Sequence, residues 1–136
     1  MDIPPAPEVI IITGQPGTGK TTAANKVTKI LREKGIRVVH FDADNLRQCW
    51  PDVPYTPEGR KESLENLLVL TRAMVHERKV TVIVSAVFGC PDSLDRWKDE
   101  LGAYRIHLNQ LWVMRDSSFY TPDAKSHYVP HVTGRK

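Results

Sequence analysis

The sequence predicts an α/β domain, a parallel sheet flanked by helices in three layers, and three observations carry that prediction. Short apolar, β-branched runs alternate with stretches of helical period along most of the chain. The first run, Val9-Ile10-Ile11-Ile12, leads into a glycine loop, Gly14-Gln15-Pro16-Gly17-Thr18-Gly19-Lys20-Thr21, and then into a helical pattern. A second run ends on two carboxylates, Asp42 and Asp44, where a strand's carboxyl end is expected. Strand, helix, strand at this spacing calls for parallel strands joined by right-handed crossovers.

Each element follows in order. Residues 1–8 hold three prolines and read as an extended lead-in; residues 9–136 read as a single domain, since 136 residues leave room for one core and no second. After the loop, Ala23, Ala24, Val27, Ile30 and Leu31 recur at helical spacing until Lys34-Gly35, a basic last turn with glycine in the stop position. Ile36 to Phe41 is a second strand. Three prolines between Trp50 and Pro57 make a loop, and Thr56-Pro57 reads as a helix start, with Thr as cap and Pro in the first turn. Leu64, Leu67, Leu68, Thr71, Met74 and Val75 form the apolar stripe of that helix, which runs to about Arg78. Val80 to Val87 is a third strand, buried on both faces. Asp92 caps a further helix through Leu101 with Gly102 as its stop, and a fourth strand starts near Tyr104 and extends to Val113. Residues 114–136 are polar, with Pro122 and Pro130 and no steady period; they read as a lid or a tail.

Composition narrows the function classes. Hydrophobic residues at 40% and charged residues at 26% are ordinary for a soluble globular domain. A net charge of +3 with scattered basic residues suits a small anionic substrate and gives no nucleic-acid surface. Cys49 and Cys90 have no CxxC spacing, so neither a zinc site nor a disulfide framework is expected; reduced thiols in a cytoplasm are the simplest reading. Met1 to Pro5 is no signal peptide, and no segment has membrane-spanning length. The five histidines lack metal-ligand spacing.

The loop Gly14–Thr21 fits G-x-x-x-x-G-K-[ST], with a strand before it and a helix after it. Backbone N–H groups freed by the glycines and the positive end of the helix both aim at one phosphate position. Gly14, Gln15, Pro16, Gly17, Thr18, Gly19, Lys20, Thr21 and Thr22 are therefore the predicted ATP site, with Lys20 on the β/γ-phosphates and the Thr21 hydroxyl on Mg²⁺. Asp42 and Asp44 share a strand face beside that loop, at the sheet edge where α/β folds bind ligands. Solvated turn carboxylates are the bland alternative.

Together these residues resemble the adenylylsulfate kinases, which phosphorylate the 3′-hydroxyl of adenosine 5′-phosphosulfate. Four motifs carry the likeness: the phosphate loop; Asp42-Ala43-Asp44-Asn45-Leu46-Arg47, against D-G-D-N-[LIV]-R; Tyr55-Thr56-Pro57-Glu58-Gly59-Arg60-Lys61-Glu62, against F-S-x-x-D-R-x-E; and Arg115-Asp116, against the R-D that opens the family's lid. The resemblance implies a P-loop NTPase-like fold and ATP-dependent phosphorylation of adenylyl sulfate. It makes Asp44 the carboxylate that orients the acceptor hydroxyl and takes its proton, with Asp42 assisting through magnesium-bound water or by positioning, and Arg115 the lid arginine, for which a surface ion pair is the even alternative. Arg47 and Arg60 become candidates for the acceptor's anionic groups, and Tyr55 stacks on its base or simply anchors a loop. Ser63 stands where the family has Asn, while Val87 and Phe88 fall in the segment after the third strand, Phe88 at a serine position. These departures, with Ser117-Ser118-Phe119-Tyr120 replacing the lid's K-G-L-Y, leave the acceptor open. The family commonly forms dimers, so a homodimer is the assembly it implies. Three alternatives stand beside this reading: the same fold acting on another nucleotide-like acceptor, a non-catalytic nucleotide-binding module, and a kinase resembling the zeta-type toxins. The last phosphorylate nucleotide-sugars and carry a similar G-Q-P-G-[ST]-G-K-T loop, with the D-x-D-N-x-R segment speaking against them.

Overall fold

A computed structural model describes residues 6–14, 19–88 and 91–113. The lid or tail at 114–136, with Arg115, and the loop residues Gln15 to Thr18 lie outside the described residues. Four parallel strands, β1 (Glu8–Thr13), β2 (Val38–Asp42), β3 (Thr81–Ser85) and β4 (His107–Trp112), form one sheet in the order β2-β3-β1-β4. The helices are α1 (Lys20–Glu33), α2 (Ala43–Leu46, followed by a 3-10 turn Arg47–Cys49), α3 (Pro57–Arg78) and α4 (Pro91–Ala103).

The sheet is covered on both sides, which is why β1 and β3 are apolar almost throughout. On one side Ile10, Ile12, Val38 and Ile83 pack with Ala24 and the partly buried Ala23, Val27 and Leu31 of α1. On the other, Val9, Ile11, Val82 and Val84 meet Leu64, Leu67, Leu68 and Val75 of α3 and Trp97 and Leu101 of α4. The stripe expected on α3 is its buried face; Thr71 at its centre is fully buried, and its hydroxyl has no hydrogen-bond partner among the described residues.

Several boundaries differ from the sequence-based expectation: β2 begins at Val38 rather than Ile36, β3 spans Thr81–Ser85 rather than Val80–Val87, and α4 begins at Pro91, so Asp92 lies in its first turn rather than at its cap. A helical turn, α2, follows β2 directly, because Asp42 Oδ1 accepts hydrogen bonds from the Asp44 and Asn45 N–H groups. Gly102 lies inside α4 rather than past its end: Arg105 N–H bonds to the Gly102 carbonyl and Ile106 N–H to that of Leu101, so Arg105 takes the left-handed stop position at φ 59°. The turn this creates delays β4 to His107, leaving Tyr104 outside the strand. Gly35, at φ 82°, closes α1 with the same bond pattern, Gly35 N–H to Arg32 and Ile36 N–H to Leu31.

Register aligns the strands' carboxyl ends: Ile12 pairs with Ser85, and Ser85 with Asp42. α1 and α2 start from this same edge.

Candidate active site

At that edge lies a cavity of about 510 Å³, within the range of small-molecule sites, lined from four directions. The start of α1 contributes Gly19, Lys20, Thr21 and Thr22; the end of β2, α2 and the 3-10 turn after it contribute Asp42, Ala43, Asp44 and Arg47; β3 and the residues after it contribute Ser85, Ala86 and Val87. Tyr55, Arg60, Ser63 and Leu64 close it from the α3 side. Gly19 sits at φ 90°, a conformation other residues rarely adopt, and its carbonyl accepts the Ala23 N–H that opens α1.

Asp42 is built in twice. Its Oδ1 caps α2, and its Oδ2 accepts the Thr21 hydroxyl at 3.2 Å. Two hard oxygen groups so placed beside a phosphate loop fit Mg²⁺, which takes one or two protein oxygens and completes its shell from phosphates and water. Among the described residues no cluster of three His, Cys, Asp or Glu side chains forms a cage for a resident metal. Burial pushes the Lys20 ammonium below its ordinary lysine value, and the charges of Asp44 and then Asp42 pull it back up, so these three groups share one electrostatic neighbourhood.

Arg47 and Tyr55 are arranged differently from two independent ligand contacts. The Arg47 guanidinium donates through Nη1 to Ser63 Oγ at 2.9 Å and through Nη2 to the carbonyls of Val53 (3.1 Å) and Pro54 (3.0 Å). It also lies under the Tyr55 ring, 3.8 Å from the centroid. Arg60 lines the cavity and has no hydrogen bond or ion pair from its side chain among the described residues. Phe88 corrects the expectation drawn for it: its ring is buried, edge-on to Trp97 at 5.3 Å between centroids, and does not line the cavity. An apolar ring so close to the core gains more from burial than from the polar edge.

Some contributors were not singled out from the sequence. Ser85 lines the cavity and holds His40 Nε2 at 2.7 Å across the β2–β3 pair. Burial pushes the His40 imidazole below its ordinary value, an effect Asp42 partly offsets. The signal for His40 was its period-two relation to Asp42, which places both on the α1 face of β2. Gly59 is buried where the Pro54 carbonyl crosses α3, so closely that an added Cβ would stand 1.8 Å from that oxygen. Its place in the motif gave no hint of that approach.

Known proteins give this geometry its family. The chain is 26% identical over 135 residues to the probable adenylyl-sulfate kinase of Bacillus subtilis, covering 93% of this chain and 67% of that one. In structure it is similar to the APS kinase of Mycobacterium tuberculosis in complex with AMPPNP and APS, with a TM-score of 0.72 at 25% identity over 80% of this chain and 63% of that one. A cysteine-to-alanine mutant of the same enzyme shares the fold at a TM-score of 0.73, 22% identity and coverage of 92% and 95%. The family model described as Zeta toxin matches residues 2–121, so the segment Asp42–Arg47 does not set the chain apart from that family as its motif suggested. No helix among the described residues is long and apolar enough to cross a membrane. With α1 opening at the carboxyl edge of a parallel sheet, Asp42 at the end of β2, Asp44 in α2 directly after it and a family match over most of its length, the chain belongs to the Zeta toxin family, a family of P-loop kinases.

Proposed function

We propose that the chain transfers the γ-phosphoryl group of ATP to a hydroxyl of an anionic, nucleotide-like acceptor, with adenylyl sulfate as the leading acceptor. The observation that carries this reading is one cavity whose lining includes Lys20, Thr21, Asp44, Tyr55 and Arg60; in this reading Lys20 and Thr21 serve the donor, and Tyr55 and Arg60 the acceptor. Phosphoryl transfer asks for positioning and charge neutralisation, and this set supplies both. The loop amides and Lys20 hold the donor phosphates. Asp44 orients the acceptor hydroxyl and takes its proton as the new O–P bond forms and ADP leaves with the old bridging oxygen. Thr21 and Asp42 would hold Mg²⁺, which neutralises phosphate charge when bound. Val87 borders the acceptor and Ser63 acts through Arg47. Arg115 remains the proposed lid arginine.

A coupled ADP-release assay with adenylyl sulfate, nucleotide-sugars and no acceptor tests this. Turnover is expected with adenylyl sulfate and Mg²⁺, and Lys20→Ala or Asp44→Ala should lower kcat by at least about a hundredfold, the scale of losing one electrostatic stabiliser, at unchanged thermal stability. Full activity in Asp44→Ala would remove that residue from the reaction. The match to the Zeta toxin family favours a second reading, a nucleotide-sugar as acceptor; turnover of that class with none of adenylyl sulfate selects it.

A further inference from the structure

We propose that Arg47 is a positioning residue, which builds the acceptor wall by holding Tyr55. A guanidinium gripping an anion must offer its N–H fork to it. Here both terminal nitrogens of Arg47 already donate inward, to Ser63 Oγ and to the carbonyls of Val53 and Pro54. Those three bonds staple the loop before α3 to the helix itself. The stapled loop is short and anchored by the buried Val53, and Tyr55 beyond that anchor stands at a defined place in it, one ring face on the Arg47 guanidinium and 86% of the residue in solvent. An aromatic ring this exposed keeps its position only through what lies beneath it, so the cation serves as a platform for the ring. The outer ring face is then free to stack against a planar acceptor group. Two further contacts fix the same loop: the Thr56 hydroxyl accepts the Gly59 N–H at 3.0 Å, and Gly59 admits the Pro54 carbonyl. Ser63 suits this arrangement, since its single hydroxyl accepts from Arg47 while the guanidinium stays 3.8 Å from the Tyr55 ring centroid.

The test has two arms, and only the first rests on the kinase reading above. In the first, kcat and KM for adenylyl sulfate and for ATP are measured in Arg47→Ala, Arg47→Lys, Tyr55→Ala and Arg47→Ala/Tyr55→Ala. Arg47→Ala and Tyr55→Ala should each raise the acceptor KM roughly ten- to a hundredfold, the range for losing one base–aromatic stack, with the KM for ATP changed less than about twofold. The double variant should be no worse than the single variants, because one residue acts through the other. Arg47→Lys keeps the charge but loses the planar fork, and should resemble Arg47→Ala. Multiplying effects in the double variant, or a normal acceptor KM in Arg47→Lys, overturns the proposal in favour of direct contact. The second arm needs no acceptor. Amide hydrogen exchange at Val53, Gly59 and Arg60, whose N–H groups bond to Trp50 and Thr56, should quicken about tenfold or more in Arg47→Ala while β1 and β3 keep their protection. Unchanged exchange there overturns the clamp. If the unaltered chain does not turn over adenylyl sulfate, the acceptor reading fails and this arm still decides the role of Arg47.

Discussion

At the scale of single residues the site depends on side chains with more than one partner. Asp42 uses one oxygen to start α2 and the other to hold Thr21, so the orientation of its charge toward the phosphate loop comes from backbone bonds rather than from its own rotamer preference. Gly59 is the opposite case, a residue that matters for the atoms it lacks. An alanine there would put a Cβ 1.8 Å from the Pro54 oxygen and 2.8 Å from its carbonyl carbon, and backbone cannot yield as a side-chain tip can. Gly59→Ala should therefore lose about 1–3 kcal/mol in urea denaturation, the range for overpacking a close contact. Gly102→Ala, in open space inside α4, is the control and should gain a few tenths to about 1 kcal/mol from helix propensity. Equal effects at the two glycines would contradict the close approach. Nothing in the sequence separates these glycines, because what distinguishes them is a carbonyl arriving from another segment.

At the scale of elements, local chemistry was legible wherever it acts within a turn of itself. Thr56-Pro57 marks the start of α3 because the cap and the first-turn proline are both local, and the Thr56 side chain does accept the Gly59 N–H. The end of α4 was misplaced because Gly102 looked like a stop, while the left-handed position fell to Arg105, held by the bonds to Leu101 and Gly102. A Cβ in that conformation is unfavourable, so Arg105→Gly should stabilise by about 1 kcal/mol, read as a higher thermal midpoint. α3 and α4 are also joined by charge. Glu100, its side chain 18% exposed, accepts from Arg72 of α3 and from Arg96 one turn back, while Arg96 pairs with Glu65 at 2.7 Å. The Arg72 hydrogen bond, then Arg96, hold the Glu100 carboxyl below its ordinary value of 4.5. A carboxyl depressed in the folded state contributes stability above its unfolded value, and that contribution is lost as pH falls through the folded one. Glu100→Gln should therefore melt lower than the parent chain at pH 7, with the gap narrowing once the pH drops below about 4.5. A gap independent of pH would show that the pair acts by shape rather than charge.

At the scale of the whole molecule, the fold class could be read from the alternation of strand and helix patterns, and the place of Gly19, Lys20 and Thr21 in the cavity, the proposed donor half, from their strand–loop–helix setting. The acceptor half was less legible, since it depends on where Arg47 spends its hydrogen bonds and on Phe88 turning into the core beside Trp97, and neither follows from motif position. What unites the halves is the parallel sheet, which brings β1, β2 and β3 to one edge in register, so the helices α1 and α2 and the aspartates meet there without any long connection. The proposed nucleotide binding is a term in global stability, because α1, whose first turn lines the cavity, packs through Ala24 into the same core as β1, β2 and β3. With ATP and Mg²⁺ at about a hundred times the dissociation constant, linkage adds about 2.7 kcal/mol. At roughly 4 °C per kcal/mol for a domain of this size, the thermal midpoint should rise by about 10 °C. Lys20→Ala should lose most of that rise, since it removes the donor grip, whereas Glu100→Gln should keep all of it from a lower starting midpoint, because the α3–α4 ion pairs lie outside the cavity. A parent chain whose midpoint does not move under saturating nucleotide and magnesium would mean that the loop does not hold phosphate, and the kinase reading would fall with it.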